Sequence, residues 1–139
     1  MRFKTAAVAI TALLMTTSCH HATVDDRAEK EAREYTERYC PTPESDMQSM
    51  DSIHFDRDTH TFTYHYKLLG AADDPKIVNK IRTKVRTALL EDLVSNTGTK
   101  LYKDHNFVFH YIFRSKSTRK ILFEERFTAK DYNKKKRAR

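Results

Sequence analysis

The sequence predicts an α+β domain whose elements run α-β-β-α-β-β, with an antiparallel sheet of four to five strands and two helices packed on one face. Strict alternation of aromatic side chains predicts strands at Thr61–Leu69 and Phe107–Arg114. Apolar residues at four-residue spacing, after an Asp74-Pro75 start signal, predict a long helix between them. The whole chain contains only 2 glycines and 3 prolines, which disfavours a long irregular or repetitive fold.

The first nineteen residues have the pattern of an export signal. Arg2 and Lys4 precede the uncharged apolar run Ala6–Met15, and small residues then lead to Cys19. This run is shorter than the roughly 20 apolar residues that span a bilayer. An ordinary cleaved signal peptide is the alternative to a lipid-modified cysteine.

The segment resembles the signal and lipobox of small bacterial lipoproteins, in the looser form of the Bacteroidetes group, because Thr16 stands where leucine is usual. The resemblance implies a signal peptide over 1–18, a lipidated Cys19 and a tether over 19–24. It also implies anchoring in the cell envelope of a Gram-negative bacterium, in the outer membrane, because His20 is not acidic. Residues 20–139 resemble no characterised family.

A single domain is expected over 25–132. Its first helix, Asp25–Tyr39, places small and aromatic residues on one stripe. A short strand, Met50–Phe55, follows. The strand Thr61–Leu69 presents an apolar face formed by Phe62, Tyr64, Tyr66 and Leu68, and a wetter face on the other side.

The second half begins with a helix over Pro75–Asn96. Its predicted buried stripe consists of Ile77, Ile81, Val85, Leu89 and Leu93, with Lys76, Lys80, Lys84 and Arg86 on the other side. The remaining predicted elements are a brief strand, two longer strands and a closing helical turn, at Lys100–Tyr102, Phe107–Arg114, Lys120–Phe127 and Thr128–Asp131.

The two aromatic strands also resemble each other at an offset of 45 residues. Phe62, His65 and Tyr66 match Phe107, His110 and Tyr111. Duplication of an αββ unit and chance convergence of two aromatic strands both remain open. The match relates the second strand to the third, which a simple αββ tandem does not do.

The formal net charge of +7 arises from the two ends of the chain. Without the two basic residues of the signal and the five of the C-terminal tail, 19 basic residues stand against 19 acidic ones. We therefore predict no nucleic-acid partner. The tail, 133–139, is expected to be disordered. Its basic residues are candidates for contact with an anionic surface: Lys134, Lys135, Lys136, Arg137 and Arg139. The alternative is a tail that only increases solubility.

Few residues favour catalysis. His65 and His110 could meet on the wetter sheet face and are weak candidates for a zinc site, although no helical HExxH spacing supports them. Cys40 lacks an identifiable base, and the isolated glycines form no phosphate-binding loop. Glu124 and Glu125 must face opposite sides of a strand. We predict no cofactor and no catalytic residue.

The sequence thus indicates a lipid-anchored, non-catalytic envelope module that binds or scaffolds another envelope protein or polymer. The alternatives are a small metal-dependent or hydrolytic envelope enzyme that uses the sheet histidines, and an inhibitor of an envelope hydrolase.

Overall fold

The computed structural model describes the backbone of residues 21–137 and the side chains of residues 21–134. The first half contains one helix and two strands: α1 (Val24–Tyr39), β1 (Gln48–Asp56) and β2 (Thr61–Leu68). After a 3₁₀ turn at Gly70–Ala72, the second half contains α2 (Pro75–Ser95), α3 (Lys100–Asp104), β3 (Val108–Ser115), β4 (Ile121–Phe127) and α4 (Ala129–Arg137).

The four strands form one sheet in the order β1-β2-β3-β4. The two outer pairs are antiparallel, as predicted, whereas the central β2–β3 pair is parallel. The α+β class and the α-β-β-α-β-β order are confirmed. The sequence did not indicate the parallel pair, because alternation fixes the faces of a strand and leaves its direction open.

The core lies between the sheet and the helices. Stacked rings cross the strands, with centroids 4.9 Å apart for Tyr64 and Tyr111 and 4.4 Å apart for Phe113 and Phe123. Phe109 is fully buried. Helix α1 packs on β1 through Ala28 and Ala32, residues small enough for close approach of the helix to the sheet. The predicted aromatic core is therefore present.

Helix α2 buries only the second half of its predicted stripe, in which Val85 and Leu89 pack against the core and Leu93 is buried. Its two buried residues are Val78 and Leu93, whereas Ile77 and Ile81 are each 40% exposed. The Arg86 side chain, on the side predicted to be polar, reaches the edge of the core, where its guanidinium lies 4.8 Å from the Phe127 ring centroid. The predicted register is thus wrong in the first half of the helix. An α-helix has 3.6 residues per turn, so a stripe of every fourth residue drifts by about 40° per step, and Ile77 falls outside the face that buries Leu93.

Two further elements differ from the sequence prediction. The predicted strand at Lys100–Tyr102 is wrong, because Lys100–Asp104 forms the short helix α3. Helix α4 continues to Arg137, into the segment predicted to be disordered. Asp131 accepts hydrogen bonds from the backbone N–H and hydroxyl of Thr128, and Tyr132 is buried. Once these contacts have formed the first helical turn, extending the helix through lysine residues costs little free energy.

Candidate functional site

One face of the sheet is left uncovered by α1 and α2, and the polar side chains of the strands project from it. The parallel pairing sets Phe62 opposite Phe109 and Thr63 opposite His110. Paired residues of β2 and β3 are therefore 47 positions apart, two more than the offset of 45 in the sequence repeat. His65 and His110 lie on the same face, as expected, but His65 is opposite Ile112, which makes the two histidines diagonal neighbours.

The histidines have different surroundings. The imidazole Nε2 of His110 lies 2.9 Å from a carboxylate oxygen of Glu124. Burial, followed by the positive charge of Arg114 and the neighbouring His54 and His110, lowers the pKa of His65. Among the residues that the structure describes, no three His, Cys, Asp or Glu side chains are grouped to hold a metal ion.

A cavity of about 500 Å³ opens at the carboxyl ends of β2 and β3, and we call it the basic cavity. Its lining consists of Asp51, Lys67, Arg114, Ser115, Lys116 and Arg119. Lys67 and Arg114 are paired residues of the two parallel strands, so their side chains leave the sheet next to each other.

Two carboxylates lie beside these cations. Asp51, at an irregularity in the β1–β2 register, contacts the Lys67 ammonium group at 2.9 Å. Glu44 contacts the Lys116 ammonium group at 2.7 Å, and both of these side chains are more than half exposed. Among the described side chains, no carboxylate lies within ion-pair distance of Arg114 or Arg119.

The start of α1 and the first turn of α4 both lie at the other end of the sheet. The side chain of His60 contacts Asp25, at the start of α1, with 3.2 Å between Nε2 and Oδ2. The Val108 N–H donates to the His60 carbonyl at 2.9 Å. The Tyr132 hydroxyl donates to the Phe107 carbonyl at 3.0 Å. The start of α1 and the body of α4 thus lie at the end of the sheet where β2 and β3 begin.

The remaining predicted residues lie as follows. Cys19 is outside the described residues, as are the side chains of Lys135, Lys136, Arg137 and Arg139, whereas Lys134 is exposed on α4. Cys40 is a half-buried free thiol, and burial, followed by the charge of Asp51, raises its pKa. An unactivated thiol of this kind is a poor nucleophile at neutral pH.

The sequence analysis missed the basic cavity. The spacing of Arg114, Lys116 and Arg119 across one turn was the available signal. Lys67 is 47 residues from Arg114 and becomes its neighbour only through the parallel pairing. The position of Asp51 in the cavity was also not predictable, because an alternating pattern does not indicate where a strand departs from its regular register.

Glu125 is placed as predicted, on the face opposite Glu124. It is buried under α2, where Arg82 contacts it at 3.3 Å and Arg86 also pairs with it. Glu124 lies on the open face with His110. The two carboxylates are therefore separated by the sheet.

None of the helices within residues 21–137 has the length and apolarity needed to cross a membrane. In structure, the chain is similar to a protein of Pseudomonas aeruginosa described as a "putative secreted protein", with a TM-score of 0.66 and 19% identity, over 81% of this chain and 99% of that one. At this identity the similarity establishes the fold.

No curated protein sequence matches the chain. A family model described as a domain of unknown function, DUF8479, matches residues 23–123. The prediction that residues 20–139 match no characterised family is therefore confirmed. Because the match covers most of the chain, the protein belongs to the DUF8479 family.

Proposed function

We propose that this protein is a lipid-anchored, non-catalytic module of a bacterial cell envelope, which binds another envelope component through its open sheet face. The observation that carries the proposal is the position of the start of α1 and of α4. The chain enters α1 through the capping residue Thr23, at the same end of the sheet at which α4 carries Lys134. A lipid at one terminus and a basic segment at the other would both meet one membrane.

The tether is short. Cys19 and Thr23 are separated by four residue steps, which span at most roughly 14 Å of extended chain. Lipidation at Cys19 would hold this end of the domain near the headgroups. Basic residues close to an anionic surface gain roughly 1 kcal/mol each, within a Debye length of about 8 Å at physiological salt. The basic end of α4 would therefore add electrostatic attraction to the lipid anchor.

An extracytoplasmic location is supported by the signal pattern of Met1–Cys19 and by the similarity to a protein described as secreted. Lipid modification and sorting to the outer membrane rest on the lipobox resemblance and on His20. A non-catalytic role is supported by the raised pKa of Cys40 and by the diagonal placement of His65 and His110. The competing hypothesis is a hydrolase or a metal enzyme that uses these histidines.

The anchor is tested by the variant Cys19→Ala. Metabolic labelling with a fatty acid should mark the native protein and not the variant, and the variant should move from the membrane fraction to the soluble periplasmic fraction. Cys40→Ala is the matched control and should remain labelled and membrane-bound. Membrane association of the native protein without incorporated lipid would refute the anchor.

The tail is tested by deletion of residues 134–139. Because Lys134 is exposed and Tyr132 is retained, the melting temperature should stay unchanged. Binding of the unlipidated protein to vesicles containing anionic lipid should weaken, and added salt should have the same effect on the intact protein. Vesicle binding that is absent, or indifferent to both changes, would leave only a solubilising role for the tail.

The binding role is tested by crosslinking in intact envelopes. A photoreactive residue replacing His54, on the open face, should capture a discrete partner that one replacing Lys80, on the exposed side of α2, does not. A partner captured only from α2, or zinc binding that disappears in His65→Ala and His110→Ala, would favour a different function.

A further inference from the structure

We propose that the basic cavity binds a phosphate group carried by a ligand other than the lipids of the anchoring bilayer. The proposal names a ligand chemistry beyond the envelope function proposed above. The binding of phosphate depends on the fold and the cavity alone and holds whether or not Cys19 is lipidated, whereas the exclusion of the anchoring bilayer as its source rests on the proposed function. The volume of about 500 Å³ lies within the usual range of small-molecule sites.

Charge is the first argument. Lys67 and Arg114 are paired residues on adjacent strands, and like charges placed directly opposite each other are destabilising. The turn after β3 adds Lys116 and Arg119 to the same cavity. Asp51 offsets the charge of Lys67, and the exposed Glu44 offsets that of Lys116. Two guanidinium groups therefore remain to interact with an anion.

The identity of the cations is the second argument. A guanidinium group presents a planar fork of N–H donors that matches two oxygens of a phosphate, and it is more weakly hydrated than an ammonium group. Arg114 is half-buried on a strand, so part of its desolvation is complete before a ligand arrives. Its charge already acts on its surroundings, since it contributes to the lowered pKa of His65.

The position of the cavity excludes the anchoring bilayer as the source of the phosphate. Asp25 and His60 are in contact at the end of the sheet where β2 begins, and Lys67 lies near the end where β2 finishes. The seven residue steps along β2 from Thr61 to Leu68 correspond to about 23 Å at roughly 3.3 Å per residue. A domain held at its first end presents the cavity away from that membrane, toward a soluble or polymeric phosphate.

Carboxylates oppose the binding of an anion and thereby predict the sign of a mutational effect. Asp51 lies in the cavity wall, and Asp73 accepts a hydrogen bond of 2.9 Å from the Ser117 N–H in the adjoining turn. Asp51 is the more direct competitor, because it contacts a cation of the cavity. Removal of its charge should therefore tighten phosphate binding, which a merely structural cluster of charges would not predict.

The test is calorimetric titration of the full-length protein with inorganic phosphate, and then with a soluble polyphosphate, in buffer containing about 150 mM salt to screen diffuse attraction. We expect saturable binding at one site. The double variant Arg114→Gln/Arg119→Asn should weaken it at least tenfold, and Asp51→Asn should tighten it severalfold. Asparagine suits position 119, where the backbone is left-handed at φ 63°.

The matched control is Lys80→Gln/Lys84→Gln, which removes the same charge from the exposed side of α2 and should leave affinity unchanged. Circular dichroism confirms that each variant is folded. Absence of saturable binding, equal weakening by the control, or no tightening in Asp51→Asn would overturn the proposal.

Vesicles containing phosphatidylglycerol separate the two sources of phosphate. Binding to vesicles through the cavity cations, without binding to soluble phosphate, would overturn the distal orientation. Retention of phosphate binding in Cys19→Ala supports the proposal and separates it from the anchor. Loss of phosphate binding on deletion of residues 134–139 would assign it to the tail and refute the cavity.

Discussion

The Tyr102 hydroxyl donates a hydrogen bond of 2.6 Å to a carboxylate oxygen of Glu31, and it thereby joins α3 to α1. The two residues are 71 positions apart. Tyr102 is buried, and its ring packs against Phe62 and Phe107. Glu31 also accepts from Arg27 at 2.8 Å. The ring packing and this charge-assisted bond help to hold the five-residue helix α3 in place, together with the Lys103 ammonium group, which donates to the carbonyls of Leu93, Val94 and Asn96.

The variant Tyr102→Phe should keep the ring packing and lose the hydrogen bond. We expect a loss of about 1 kcal/mol in the free energy of unfolding, at the low end for a bond to a charged group because Glu31 is partly exposed and keeps Arg27. Urea denaturation measures it, with the exposed Tyr35→Phe as control. Equal values for the two variants would show that the hydroxyl contact does not stabilise the domain.

Helix α2 offers a test of which part of the predicted stripe is buried. Leu93 is 1% exposed, so Leu93→Ala should destabilise the domain by about 2–5 kcal/mol through lost burial and the cavity left behind. Ile77→Ala removes a side chain of similar size that is 40% exposed, and it should cost well under half as much. Equal losses in chemical denaturation would restore the register predicted from the sequence.

The ion pair beneath α2 is the next target. Glu125 is buried, whereas its partners Arg82 and Arg86 are about half exposed. Arg86→Met leaves the carboxylate with one arginine and also removes the cation from the Phe127 ring, so a loss of about 2 kcal/mol is expected.

Arg82→Met should cost less than Arg86→Met, because Arg82 makes the longer contact and has no ring partner. Thermal denaturation at matched pH and ionic strength compares the two variants. A larger loss for Arg82→Met would show that the longer Arg82–Glu125 contact contributes more to stability than the Arg86–Glu125 contact.

Alkaline pH should unfold the protein cooperatively. Burial raises the pKa of Tyr66 and Tyr132 from 10.0 to about 12, and it also raises the pKa values of Tyr64, Tyr102 and Tyr111. A pKa that is higher in the folded state favours folding fully below the unfolded value and loses this contribution as the pH rises through the folded value. Stability should therefore fall between pH 10 and 12.

Phenolate absorbance and circular dichroism, recorded together, measure this effect. The buried tyrosines should ionise in the same step in which the ellipticity is lost. Ionisation of all seven tyrosines with ellipticity unchanged would contradict the role of burial.

The sequence analysis predicted those features that depend on local pattern. Alternation located β2 and β3 and their aromatic faces, and the Asp74-Pro75 signal located the start of α2, whose N-cap is Asp74. The three residues Lys100–Tyr102 are too few to show a periodicity that distinguishes a strand from a helix. The basic cavity depends on pairing between distant segments, which the local pattern of a sequence does not contain.

The parallel pairing of β2 with β3 also determines when the sheet can be completed. No tight turn can join parallel strands, so the whole crossover between Leu68 and Val108, including α2, must be present before these strands can pair. Until then the inner edges of both hairpins carry unpaired backbone groups, and an unpaired edge is a template for another chain. A polypeptide ending before Val108 would therefore leave β2 to pair with a second molecule, and correct assembly depends on delivery of the C-terminal half.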